Sequence, residues 1–278
     1  MTSCTRDVLQ TTVREVAAIG RDAWRLTVAL PAPLATPLAG GHFFMLRTAG
    51  ADFPFLNRPF SAHAAGPDGR GPELVFLFKT VGRGTGCLAR LRVGEAVTAI
   101  GPLGQPFPDP RPGETTVLVA GGVGLPPLHL WLERRRQRRL GGAALLLYGA
   151  RSHDQLLELA SAQALGVEVR TSTDDGSHGL HGRVDRLLEG TLAGIAGPVR
   201  ILTCGPDPMM AAVTRVAATR GVPCLVSLET VMACGFGVCN ACAVPIADGD
   251  GRLARYVRAC IEGPVMDGKP VLWQHATH

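Results

Sequence analysis

The chain has 278 residues, enough for two compact domains or for two with a small appendage. Hydrophobic residues make up 46% and charged residues 18%, which excludes a disordered chain, and aromatics at 5% are too few for a platform that stacks single-stranded nucleic acid. The net charge of +5 is concentrated in Arg134, Arg135, Arg136, Arg138 and Arg139, which reads as the last turn of a solvated helix, favoured there by the helix dipole, in preference to a docking patch for an acidic partner.

Met1 to Asp7 contain no apolar run of the secretory kind, and no stretch reaches membrane-spanning length, so a cytoplasmic protein with no membrane contact is expected. In a reducing compartment eight cysteines point to metal or redox chemistry rather than disulfides, and four of them fall within residues 234–260. Cys4, Cys87 and Cys224 stand alone and are expected to be structural.

Residues 8–110 read as short strands between Gly/Pro turns, among them Ala23–Leu30, Gly41–Arg47, Glu73–Lys79 and Ala96–Ile100. Their regular spacing suggests a small antiparallel barrel. Arg58-Pro59-Phe60-Ser61 is placed after one strand and before the next. An Arg held by the following proline can fork onto a pyrophosphate, and Ser61 can offer a hydroxyl to a flavin ring nitrogen. Gly82-Arg83-Gly84-Thr85-Gly86 then opens a helix, capped by Thr85, that runs through Leu88 and Leu91; free N–H groups at such a start suit phosphate.

After Arg111-Pro112-Gly113 strands and helices alternate. Thr116–Ala120 is followed by a helix to about Arg139, Ala143–Tyr148 by a helix from His153, and Val167–Thr171 by Val184–Leu188. Arg200–Thr203 leads into a helix from Pro208 to Thr219, and Pro223–Leu228 closes the run. Apolar strands separated by amphipathic helices mean a doubly wound parallel sheet. The first strand ends in Gly121-Gly122-Val123-Gly124-Leu125-Pro126-Pro127, a dinucleotide-type turn with proline where the first helical turn needs no N–H partner. Cys204-Gly205-Pro206 lies at the carboxyl edge of a later strand, where open sheets bind ligands. Asp174-Asp175-Gly176 can either meet a ribose or form a turn.

The last fifty residues lack helical period and are too few for a core of their own, so they are expected to fold around a metal centre. Cys234-x4-Cys239-x2-Cys242, then seventeen intervening residues and Cys260, is the plant-type order for a [2Fe–2S] cluster. The competing reading is a four-thiolate zinc site, which usually pairs two Cys-x2-Cys knuckles where this chain has one.

In this order the motifs resemble the ferredoxin–NADP reductase superfamily. Met232-Ala233-Cys234-Gly235 through Cys242, with Ala259-Cys260-Ile261-Glu262-Gly263-Pro264-Val265, is similar to the electron-transfer subunits of class 1B dihydroorotate dehydrogenases. The resemblance implies three parts: an FAD-binding β-barrel at 1–112, an NAD-binding α/β sheet at 113–229 and a [2Fe–2S] module at 230–278. It implies FAD on Arg58, Pro59, Phe60, Ser61, Leu77, Phe78, Lys79, Gly84 and Thr85, and NAD on Gly121, Gly122, Gly124, Cys204, Gly205 and Pro206. It further implies a catalytic subunit that binds FMN and oxidises dihydroorotate, in a heterotetramer with two copies of each subunit. This chain contains no residue set suited to abstracting a proton from dihydroorotate, so that step is expected on the partner. The same three modules also suit the small subunit of an NADH-dependent ferredoxin:NADP oxidoreductase or a sulfide dehydrogenase, and a zinc-stabilised binding module is the reading from outside redox chemistry.

Overall fold

The computed structural model describes residues 7–31, 38–49, 56–68 and 71–273. Cys4 and Met1 to Arg6 therefore lie outside the described residues.

Six antiparallel strands close a barrel: β1 (Asp7–Gly20), β2 (Ala23–Ala29), β3 (Phe43–Thr48), β4 (Arg58–Asp68), β5 (Gly71–Lys79) and β6 (Ala96–Leu103), in the order β1-β2-β5-β4-β3-β6. Its interior is apolar, with Leu26, Phe44, Leu46, Leu74 and Phe76 essentially inaccessible to water. The Arg58-Pro59-Phe60-Ser61 motif lies after β3 and before β5, as expected, and itself opens β4. Pro59 is tolerated because β4 at that point pairs only with β3 (Pro59 opposite Met45), while pairing with β5 begins at Ala62 opposite Phe76. Between β5 and β6 lies α1 (Arg83–Leu88), capped at Gly82. Thr85 sits inside its first turn instead of at its cap, accepting the Val81 and Gly82 N–H groups at 3.0 and 3.1 Å.

The second sheet contains β7 (Thr115–Gly121), β8 (Ala144–Ala150), β9 (Glu168–Thr173), β10 (Leu180–His181), β11 (Val199–Cys204) and β12 (Cys224–Ser227), all parallel. It is wound by α2 (Leu125–Gln137), α3 (Leu159–Gln163), α4 (Val184–Ala193) and α5 (Asp207–Thr219). Alternate residues face opposite layers. Val117, Val119, Leu145 and Leu147 join a core with α4 and α5, whereas Leu118, Leu146 and Tyr148 pack with α2. The helix expected from His153 is broken into a 3₁₀ turn at His153–Gln155 and the short α3. Glu158 between them takes a left-handed φ of 52°. The arginine run does close α2, and the guanidiniums of Arg134, Arg135, Arg136 and Arg138 are tied down, to the Leu38 carbonyl, to Gly142, to Ala164 and to the Asp109 carboxylate in turn.

The C-terminal residues form a ribbon of β13 (Ala243–Ala247) and β14 (Leu253–Arg258), then β15 (Val265–Asp267). β15 extends the large sheet as its seventh strand, antiparallel to β12. The tail also lacks a private core. Cys242, Val244, Ile246, Ala259 and Cys260 share one apolar cluster with Phe43, Met45 and Leu103 of the barrel and with the sheet. Among the described residues no helix is long and apolar enough to cross a membrane.

Candidate cofactor sites

A cavity of about 570 Å³ lies between the barrel and the sheet. The barrel wall supplies Pro59, Phe60, Ser61, Leu77, Phe78, Lys79 and Thr85, so the proposed flavin residues converge although they come from three elements. Phe60 and Phe78 meet with ring centroids 5.5 Å apart. Arg58 and Gly84, absent from the lining, touch each other: a Cβ on Gly84 would overlap the Arg58 guanidinium, which donates to the Leu56 carbonyl. Only glycine lets the guanidinium lie flat on the start of α1. Opposite stands a wall the sequence motifs did not identify, Leu228 to Met232, with Asp207. A buried polar atom of this wall, Thr230 Oγ1, has no partner within the protein. An orphaned polar atom of this kind beside a large cavity fits a polar-edged ligand. The signal for the second wall was available in its position, since Leu228 to Met232 follow the carboxyl end of the last parallel strand.

A second cavity of about 540 Å³ adjoins the first and is lined by Gly121, Gly122, Gly205 and Pro206 together with Arg151, Asp174, Arg183 and Asp185. Lys79, Val123 and Glu229 line both cavities. Gly124 and Cys204 lie behind this surface. A Cβ on Gly124 would strike the Cys204 carbonyl, so the glycine allows the turn to rest on β11. The Cys204 side chain is buried, and burial pushes its thiol well above the ordinary range. The Asp174-Asp175 pair divides its labour: Asp174 faces the cavity, while Asp175 accepts the Ser177 N–H and hydroxyl to shape the turn. Arg183 is held bidentate by Asp185, at 3.0 and 2.6 Å. Glu229 is enclosed by the cleft walls yet reached by water within the cleft. Enclosure first, and the Asp207 carboxylate second, raise its pKa to about 7.

The four thiols stand as two pairs. Cys234 Sγ accepts the N–H groups of Val238 and Cys239, each at 3.4 Å, and Cys242 Sγ lies 3.2 Å from Cys260 Sγ. The first pair is at the surface and the second is buried. Partial burial of Cys234 opposes ionisation, but N–H donation from Cys239, Phe236 and Val238 outweighs it and lowers the thiol to about 6. Burial and the facing Cys242 thiol push Cys260 up to about 12. Among the described residues no three metal-ligating side chains close on one point. Two pairs suit a binuclear cluster, with two thiolates to each iron, better than one zinc ion, which gathers four ligands at once. Gly235 and Gly237, both at positive φ, let the loop press on Met45 and on Ile261. Of the isolated cysteines, Cys224 is buried, with its thiol raised to about 12 by burial, and Cys87 is half-buried on α1.

A closed barrel, a wound parallel sheet and a four-thiol module define a ferredoxin reductase-like fold. Residues 229–272 match the family model described as the iron-sulfur cluster binding domain of dihydroorotate dehydrogenase B, and residues 118–215 match the oxidoreductase NAD-binding domain. The dihydroorotate dehydrogenase B (NAD(+)) electron transfer subunit of Desulforamulus reducens is 35% identical over 87% of this chain and 89% of its own length. Its counterpart in Geobacillus thermodenitrificans is 34% identical over 81% and 83%. A solved NADH-dependent reduced ferredoxin–NADP oxidoreductase superposes with a TM-score of 0.81 over 96% of this chain and 91% of that one, at 24% identity, a likeness of fold. The chain belongs to the dihydroorotate dehydrogenase B electron transfer subunit family.

Proposed function

We propose that this chain takes electrons from an FMN-containing dihydroorotate dehydrogenase subunit and delivers them through a [2Fe–2S] cluster and FAD to NAD+, serving pyrimidine biosynthesis in the cytoplasm. The observation that carries the reading is continuity. The segment Leu228 to Met232 walls the large cavity and runs directly into Cys234, while Lys79, Val123 and Glu229 join that cavity to the glycine-lined one. Thiols, flavin cavity and nucleotide cavity thus form one path. We assign FAD to residues 1–112, the dinucleotide to 113–229 and the cluster to 230–278.

When bound, the flavin exchanges single electrons on one side and a hydride on the other. The protein's own residues set the terms. Arg58 supports the pyrophosphate from its bed on Gly84. Phe60 and Phe78 form the apolar wall and Ser61 the polar edge of the ring site. Gly121, Gly122, Gly205 and Pro206 leave room for the dinucleotide, with Gly124 and the Cys204 backbone beneath. Cys234, Cys239, Cys242 and Cys260 would hold the cluster, with Cys239 at the surface, where a partner could approach. The family reading carries a heterotetramer of two subunits of each kind.

The purified subunit should let NADH reduce its FAD and pass electrons to an acceptor dye, with no dihydroorotate oxidation of its own. Addition of the FMN-containing partner should couple dihydroorotate oxidation to NAD+ reduction. Dihydroorotate oxidation by the isolated chain would overturn the division of labour. Coupling to ferredoxin alone would move the assignment to a ferredoxin:NADP oxidoreductase subunit, a reading that the 35% identical relatives do not favour.

A further inference from the structure

Tyr148 on β8 is among the largest fully buried side chains of the protein. Its hydroxyl donates to the Gly122 carbonyl at 2.8 Å and accepts the Leu157 N–H at 3.0 Å. Burial keeps the phenol far above its ordinary range, so it remains a donor at any working pH.

One bond reaches the glycine wall of the nucleotide cavity, and the other a segment whose Gln155 lines the same cavity. Gly122 belongs to the glycine turn, and its neighbour Val123 lines both cavities. Leu157 belongs to segment 152–158, one of the places where the sheet domain meets the barrel, alongside the packing of α2 on β4. Gln155 accepts from Lys79 Nζ at 3.4 Å, Glu158 pairs with Arg25 at 3.2 Å, and the buried Leu157 rests where Gly20 leaves space. Glu158 keeps its left-handed φ, unfavourable for a residue with a Cβ, at the point where Arg25 holds it.

We infer that Tyr148 is a positioning residue for hydride transfer. Its hydroxyl fastens the turn beneath the nucleotide to the segment that docks on the flavin barrel, and so fixes how far the nicotinamide sits from the flavin. The inference rests on the function proposed above. Hydride transfer is sensitive to such a distance, because a misplacement of about 1 Å can cost on the order of a hundredfold.

The test is anaerobic rapid mixing of the FAD- and cluster-loaded subunit with NADH, reading flavin absorbance. In Tyr148→Phe the ring remains and both bonds are lost. The limiting rate of flavin reduction should fall about tenfold, a change of ~1.4 kcal/mol in barrier, while the NADH concentration at half-maximal rate moves less than about threefold. Reduction by dithionite, FAD content and iron content should not change. Glu158→Ala, which loosens the same segment from the barrel side without touching the nucleotide cavity, should slow the same step. A variant pair with wild-type limiting rates, even with a lowered melting temperature, overturns the inference and leaves Tyr148 a packing residue. If Tyr148→Phe does not fold, Glu158→Ala alone decides. A wild-type flavin that NADH cannot reduce would instead overturn the hydride-transfer reading itself.

Discussion

The glycine turn of the nucleotide sheet is carried by six parallel strands covered on both faces, with Gly124 resting on the Cys204 backbone of the adjacent strand. The loop from Cys234 to Cys242 has no regular structure. It leans on Met45 and Ile261 and borrows a core cluster from the barrel and the sheet. One site is therefore formed by packing before any ligand arrives. The other needs its ligand to complete it, since four thiols brought near one another gain a fixed arrangement only when iron binds them. Changes to the loop should empty one site and leave the rest folded, whereas changes to the sheet should alter shape and affinity together.

The largest effect should come from Cys239→Ser. It should eliminate the iron-sulfur absorption while FAD stays at one per chain, and Cys224→Ser should leave both untouched. Iron content with visible spectra gives the readout, and simultaneous loss of FAD would show that loop and barrel do not stand apart. Arg58→Ala removes a charge-assisted contact that contributes roughly 1.5–3 kcal/mol. FAD affinity should weaken at least tenfold, ~1.4 kcal/mol or more, so FAD should be lost on gel filtration. Retention of stoichiometric FAD would put the pyrophosphate elsewhere.

On the packed side of the comparison, Gly124→Ala forces a methyl group against the Cys204 carbonyl. Overpacking of this kind costs about 1–3 kcal/mol, so thermal unfolding should shift downward and KM for NAD+ should rise. Iron content should be unaffected. The smallest effect belongs to Glu229, which titrates near pH 7 where both cavities meet. Below that pH it is neutral, and above it a carboxylate would face a nicotinamide bound there, which is cationic in NAD+ and neutral in NADH. Raising the pH from 6 to 8 should therefore favour NAD+ over NADH by ~1 kcal/mol or less in this solvated cleft, roughly fivefold at most. The ratio of the two dissociation constants measured across that range should be flat in Glu229→Gln.

The same contrast explains what could be read from sequence. The proposed thiol ligands stand out in sequence because Cys234, Cys239 and Cys242 carry a local spacing of the kind that metal geometry imposes. The glycine turn is legible because its shape is set by consecutive residues. The contact between Arg58 and Gly84 joins two motifs that were each visible, but only the barrel brings them together. Thr230 and Glu229 escaped because neither belongs to a motif; their place at the end of a parallel strand is what matters. β15 escaped because three residues of ordinary composition become a strand only when β12 offers an edge. The break in the segment after Ser152 was also hidden, since Tyr148, Lys79 and Arg25 shape it from elsewhere in the chain.

The central claim is a single path from partner to thiol loop to flavin to nucleotide, and one reconstitution tests it. The subunit and its Cys239→Ser variant, each mixed with the FMN-containing dihydroorotate dehydrogenase subunit, are given dihydroorotate and NAD+, and NADH formation is followed by absorbance. The wild type should form NADH in step with dihydroorotate oxidation, while the variant should form none although its NADH-to-dye turnover is intact. NADH formation by the variant at the wild-type rate would mean that electrons reach the flavin without the cluster, and would contradict the path.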